Sequence, residues 1–295
     1  MSPSWLIVVA SLLFATMGAC VKLASHHYGS GEIVMYRGVV GALMIGAVSR
    51  WRGVPLRTAV LAQHALRSLS GVVALCLWFY ALGNLQLATA MTLNYTSSLW
   101  LAVFLLGGAA LWKRKGAEAG LALVALVGFA GVVLVLRPTI EQDQWGHGLA
   151  GLLSGLVSAA GYLQVAALGR AGEPESRIVF YFSIGSIVGG AALSTMTGWH
   201  APSWSGMGLL LAVGVLATVA QLMLTRAYVR GRTLVNASLQ YLGIGFSFLY
   251  GVLLFDERVT WTAVAGMLLI VGAGVRATAL RIPVLSARSI PPDKR

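Results

Sequence analysis

Long stretches without any charged residue constrain this chain more than any other feature of its sequence. No Asp, Glu, Lys or Arg occurs in residues 1–21, 68–112, 144–169, 178–225 or 233–255. About 20 helical residues cross the hydrocarbon core of a bilayer, so the second and fourth stretches are each long enough for two crossings. The stretches are apolar on every face, unlike the alternating strands of an outer-membrane barrel. Because only 10% of the residues are charged, against about 25% in soluble proteins, we expect lipid to be the main solvent.

These stretches predict an all-α membrane protein with ten transmembrane helices. Gly, Pro and Asn residues separate the stretches, and no linker is long enough for a separate soluble domain. The predicted spans are residues 4–21, 32–49, 66–82, 89–112, 117–136, 148–168, 177–197, 205–225, 233–255 and 261–280.

Lys and Arg residues are divided unequally between the two sides that these spans define. Seventeen fall on the side of the two termini, Arg67 among them, and four fall on the other side, namely Lys22, Arg37, Arg137 and Arg258. Because positive residues are retained in the cytoplasm, both termini are predicted to be cytoplasmic. The net charge of +12 therefore belongs to the span ends, and nucleic acid is not an expected partner.

The two halves of the chain repeat each other at a distance of 146 residues. At this offset Asn94 and Tyr95 align with Gln240 and Tyr241, and Gly120 aligns with Gly266. Five spans in each half force the halves to cross the membrane in opposite directions. The sequence therefore predicts two inverted five-helix repeats, an arrangement that places a transporter's substrate site near the midplane between them.

Motifs in both halves resemble the drug/metabolite transporter superfamily, in its ten-helix form with two EamA-type repeats. The similar segments are residues 79–82 and 93–106 in the first half and 227–228, 237–242 and 251–257 in the second. The resemblance implies repeats at 1–140 and 146–281 and a cytoplasmic tail at 282–295. It also implies a multi-pass protein of the bacterial inner membrane, most similar to exporters of aromatic amino acids. The chain departs from the family at Ser98 and Ile244, where prolines are usual, and at Trp112-Lys113, which replaces a Gly-Glu.

Polar and aromatic residues inside the spans are the candidates for substrate binding, because each must be satisfied without water. Each could instead make a hydrogen bond between helices, but the fourth and ninth spans carry matching polar faces, which favours a cavity. Few cationic residues are expected inside the membrane, so strongly anionic substrates are not expected. The candidate residues are Trp78, Tyr80, Asn94, Tyr95, Ser98, Trp100, Tyr162, Gln164, Gln221, Asn236, Gln240 and Tyr241.

These features favour a transporter that exports amino acids or similar amphipathic metabolites by alternating access. The alternative is a broad exporter of drugs or cationic compounds. A membrane-embedded enzyme is disfavoured, because no catalytic group or metal-ligand set lies at a common depth. We expect no cofactor and no metal, a small-molecule substrate and membrane lipid as partners, and a monomer. Since the acids and histidines are predicted at span ends, we expect transport without ion coupling.

Overall fold

A computed structural model describes residues 3–110, 127–128, 130–131, 134, 144–230, 236, 239–258 and 260–279. Most of the predicted fifth span, the start of the ninth span, Trp112-Lys113 and the tail at 282–295 lie outside these residues.

The described part of the chain is helical and contains no strand. The first half has α1 (Pro3–Ala24), α2 (Ser30–Trp51), α3 (Leu61–Asn84), α4 (Leu87–Tyr95) and α5 (Ser97–Ala110). The second half has α6 (Trp145–Arg170), α7 (Glu175–Thr197), α8 (Trp204–Arg230), α9 (Leu242–Phe255) and α10 (Trp261–Ala279).

Six of the described helices are long and apolar enough to cross a membrane: α1, α2, α3, α6, α7 and α8. They confirm the first, second, third, sixth, seventh and eighth predicted spans. Helix α3 begins at Leu61 rather than at 66, which brings His64 into the helix and moves Arg67 from the first turn of the predicted span to the second turn of the helix. The full count of ten crossings and their orientations remain predictions.

The fourth predicted span is interrupted, because Thr96 separates α4 from α5. The Thr96 hydroxyl donates to the Leu93 carbonyl at 2.6 Å. A turn also stands at Gln240 and Tyr241, just before α9 begins at Leu242. Ser98 and Ile244 replace the family prolines nearby, so the chain interrupts both spans without them.

Glycine and serine residues bring the helices of the two halves into close contact. Helix α2 packs against α7, where a Cβ on Gly31 would lie 2.9 Å from the Gly190 carbonyl oxygen. A Cβ on Gly38 would lie 2.7 Å from the Ser183 carbonyl oxygen. Such small residues permit close backbone approach within a membrane. Helices α1 and α8 form a second long contact, and α3 and α6 form a third.

Two groups of helix ends define the two ends of the bundle. The starts of α1, α3 and α7 lie with the ends of α2 and α8, as contacts such as Glu175 to Arg230 show. We call this the basic end because it carries most of the described arginines. At the opposite end, Lys22 of α1 reaches Glu257, and Glu32 of α2 reaches His200. Exposed tryptophans lie at helix ends, namely Trp5, Trp145, Trp204 and Trp261, and tryptophan is enriched at membrane–water interfaces.

Candidate substrate-binding site

A central cavity lies among helices of both halves. Phe14 and Ser158, near the midpoints of α1 and α6, both contribute to it. Its volume is about 50 Å³, whereas sites for small organic ligands are about 300–1,000 Å³. The bundle is therefore contracted around the cavity. The lining residues are Phe14, Arg37, Arg67, Gly71, Ala74, Leu75, Trp78, Asn94, Tyr95, Ser158, Gly161, Tyr162, Phe182, Gln221, Leu224 and Gln240.

Six of the twelve predicted site residues line this cavity, namely Trp78, Asn94, Tyr95, Tyr162, Gln221 and Gln240. The Asn94 amide donates to the Ser154 hydroxyl at 3.0 Å, which fixes the side chain between α4 and α6. The Gln240 amide donates to the Tyr228 hydroxyl at 2.6 Å. Tyr228 in turn stacks on Tyr162, with ring centroids 5.0 Å apart. The amides are thus held in fixed positions beside aromatic rings.

The other six predicted residues are not among those that line the cavity. Tyr80 is 43% exposed, and its ring faces His147 near the start of α6. Gln164 accepts a hydrogen bond from Ser70 at 2.7 Å, and Asn236 donates to the Ala227 carbonyl at 2.6 Å. Gln164 therefore joins α6 to α3, and Asn236 binds a carbonyl near the end of α8. Ser98 and Tyr241 are buried in the helix packing and Trp100 is partly buried against it.

Two arginines in the cavity contradict the expected scarcity of interior cations. Arg37 and Arg67 are each 5% exposed, although the charge pattern assigned them to opposite sides of the membrane. Arg67 lies within α3 because that helix starts at Leu61. The segment 61–66 contains no charge, and this was the available sign that the helix begins several residues before Arg67. The charge inside the bundle therefore does not exclude strongly anionic substrates, contrary to the expectation from the sequence.

Phe182 of α7 brings the two arginines together. The guanidinium carbon of Arg37 lies 5.0 Å from the centroid of the Phe182 ring, and that of Arg67 lies 4.2 Å from it. Both contacts are cation–π interactions. A side chain on Gly71, one turn after Arg67, would overlap the Arg67 Nη1 atom. The absence of that side chain lets the guanidinium lie along its own helix.

Charged side chains also cluster at the basic end, outside the cavity. Glu173, in the turn between α6 and α7, accepts hydrogen bonds from Thr58 at 2.8 Å and from Arg177 at 3.1 Å. It is also 3.0 Å from Nε2 of His64. Burial raises the pKa of the Glu173 carboxyl, but the hydrogen bonds from these three residues outweigh it and hold that pKa below its usual range. His64, predicted to be peripheral, is buried.

A corresponding set of contacts holds the opposite end together. Lys22 donates to the Leu85 carbonyl at 2.5 Å and lies 3.1 Å from a carboxylate oxygen of Glu257. The same carboxylate accepts the first backbone N–H of α4, from Leu87, at 2.7 Å. Glu32 accepts the Gly29 N–H at 2.8 Å, which caps the start of α2.

Comparison with known protein families gives a match in the first half of the chain. Residues 1–137 match the sequence model of the EamA-like transporter family. The matched stretch coincides with the first of the two repeats predicted from the sequence. Together with the six long apolar helices, the match supports a multi-pass membrane protein that transports small metabolites rather than an enzyme.

Several proteins similar to the chain are transporters, and their names give different substrates. The chain is 29% identical over 276 residues to a pseudopaline exporter of Pseudomonas aeruginosa, covering 91% of this chain and 93% of that one. It is 26% identical to a riboflavin transporter of Vibrio cholerae, over 76% of this chain and 74% of that one. A solved crystal structure with 21% identity matches with a TM-score of 0.68, covering 94% of this chain and 98% of that one, which shows the same fold.

Proposed function

We propose that the chain exports amphipathic metabolites, with amino acids and compounds built from them first among the candidates. The observation that carries the proposal is the central cavity, where amides, aromatic rings and guanidinium groups meet between the two halves. Guanidinium and amide N–H groups can donate to a substrate's carboxylate, amide oxygens can accept from its ammonium group, and the rings suit an apolar portion. The export direction is supported by the pseudopaline exporter, which is an exporter by name.

Alternating access is the mechanism that we propose for this export. The repeats at 1–140 and 146–281 are proposed to rock against each other around the cavity. One helix interruption, at Thr96, lies two residues after Asn94, and another, at Gln240-Tyr241, includes Gln240, so two interruptions of the described helices border the site. Because the cavity holds only about 50 Å³, a substrate requires a wider conformation than the present one.

A broad exporter of cationic compounds is the less suitable alternative. Arg37 and Arg67 both line the cavity, and none of the described lining residues is acidic. A cationic substrate would therefore meet two like charges in a medium of low dielectric constant, where such repulsion is strong.

Counterflow in proteoliposomes tests the proposal. Purified protein is reconstituted, loaded with an unlabelled amino acid and supplied with trace labelled amino acid outside, across a panel that includes phenylalanine, leucine and glutamate. We expect exchange for at least one of them, and a loss of about tenfold or more on Asn94→Leu or Gln240→Leu. Tyr80→Leu is the matched control, since Tyr80 faces His147 and not the cavity, and it should retain exchange.

Two results would contradict this proposal. One is the absence of exchange for every amino acid in the panel by correctly folded protein. The other is unchanged exchange in both amide variants and in the double variant. The same vesicles test the expected lack of ion coupling, since accumulation driven by an imposed proton or sodium gradient would refute it.

A further inference from the structure

We propose that Arg37 and Arg67 form an anion site in the central cavity, and that the preferred substrate carries two acidic groups, of the carboxylate class. This inference rests on the proposed export function, because the site is the same cavity. It narrows the substrate from amphipathic metabolites in general to those with at least two carboxylates on an apolar or aromatic skeleton.

The first argument is charge balance. In the described ion pairs, the partners of the acidic residues are cations other than Arg37 and Arg67. The acidic residues are Glu32, Glu173, Glu175 and Glu257. No acidic side chain is among the described residues that line the cavity. Buried charges without partners are costly. A substrate with two carboxylates would neutralise both guanidiniums, whereas a zwitterionic amino acid would add no net charge.

The second argument is the kind of polar atom left without a partner. Within the described part of the cavity wall, the buried side-chain atoms that make no hydrogen bond are Nε of Arg37, Nε of Arg67 and Nε1 of Trp78. All three are N–H donors. The site therefore lacks acceptors, and carboxylate oxygens are acceptors that a guanidinium binds with two parallel hydrogen bonds.

The third argument is that the two guanidiniums are free to change partners. Arg37 makes one long hydrogen bond to Gln221, at 3.4 Å. Arg67 makes no side-chain hydrogen bond to a described residue and rests on Phe182. Because both groups lie on the same ring, they can engage two acidic groups of one small molecule. Trp78, Tyr162 and Leu224 supply apolar surface for its carbon skeleton.

The test compares two probes that differ by one carboxylate, phenylsuccinate and 3-phenylpropanoate. Binding to the purified protein in detergent is measured by tryptophan fluorescence, and exchange is measured in proteoliposomes. At neutral pH we expect wild type to prefer phenylsuccinate by about tenfold or more in half-maximal concentration. Arg37→Gln and Arg67→Gln should each remove most of that preference, and Arg67→Lys should retain part of it because the charge remains. Arg52→Gln, at the exposed end of α2, is the matched control and should keep the preference.

The outcomes separate this inference from the proposed function. Equal affinity of wild type for the two probes, or a preference that survives in both glutamine variants, overturns the anion site. If wild type then still exchanges phenylalanine or leucine, the proposed export function stands without it. If the glutamine variants do not fold, the preference of wild type for two carboxylates over one decides the question alone.

Discussion

Gly71 is the residue that gives the Arg67 guanidinium its place beside Phe182. An added Cβ would overlap Arg67 Nη1 and would lie 2.6 Å from Cε2 of the Phe182 ring. We therefore expect Gly71→Ala to move both groups and to reduce exchange in proteoliposomes by about tenfold, equivalent to about 1.4 kcal/mol. Gly208→Ala is the control, because a Cβ there meets no atom within 4 Å. Equal exchange by the two variants would show that the position of Arg67 does not matter.

Asn94 and Arg67 show how far individual residues could be predicted. Asn94 and Gln240 stand out in sequence because a buried amide inside an apolar helix needs a partner, and both do line the cavity. The uncharged segment 61–66 was the available sign for Arg67, but an arginine beside a predicted helix end ordinarily reaches water, and this favoured the peripheral interpretation. Its burial depends on Phe182 and Gly71, and contacts between distant helices are not visible in a local pattern. Tyr80 was also predicted for the site, but its ring faces His147 of α6, and a local pattern does not show such a contact between helices.

At the scale of helices, Gly155 allows α6 to press against the interruption between α4 and α5. A Cβ there would lie 2.5 Å from the Thr96 hydroxyl and 2.7 Å from the Leu93 carbonyl oxygen. Backbone cannot move aside as a flexible side chain can, so we expect Gly155→Ala to destabilise the fold by about 1–3 kcal/mol. Thermal unfolding in detergent measures this. Gly146→Ala, which has open space, should unfold at the wild-type temperature, and identical behaviour of the two variants would contradict the expectation.

Glu173 joins the segment before α3 to the start of α7. Because its pKa is lowered in the folded protein, its stabilisation is present above the ordinary pKa of a glutamate. That stabilisation is lost as the pH falls through the lowered value. We expect Glu173→Gln to reduce stability at neutral pH by about 1–3 kcal/mol, and the difference from wild type to shrink below about pH 4.5. Thermal unfolding across pH provides the measurement.

Glu175→Gln is the matched control for this prediction. Glu175 lies two residues away and pairs with Arg230, a half-exposed partner, so its loss should cost less because exposed ion pairs contribute little. A difference between Glu173→Gln and wild type that stays constant down to strongly acid pH would contradict the assignment.

At the scale of the whole molecule, the surplus of Lys and Arg at the basic end predicts that this end faces the cytoplasm. Arg37 and Arg67 lie in the cavity and so drop out of the count of boundary charges, one from each side, but the imbalance remains. We expect a reporter fused after Arg295 to be active only if it functions in the cytoplasm. Alkaline phosphatase and green fluorescent protein fusions give opposite readouts for this. Phosphatase activity from a well-expressed full-length fusion would reverse the predicted orientation.

Hydropathy was sufficient for six long crossings, because the cost of charge in lipid acts on each helix separately. It could not show that the fourth span is interrupted at Thr96, because the mean hydropathy of a span does not register a one-residue turn. Nor could it show how tightly the bundle closes, because the contacts of α2 with α7 join residues that are far apart in sequence.

The two cavity arginines also affect the passage of ions that are not substrates. Fixed positive charge inside a membrane pathway raises the electrostatic barrier to protons and metal cations. Arg37 and Arg67 are buried in a cavity of about 50 Å³, so a hydrated cation meets both a tight fit and like charge. We therefore expect a membrane that holds many copies of this protein to keep the proton gradient that drives ATP synthesis.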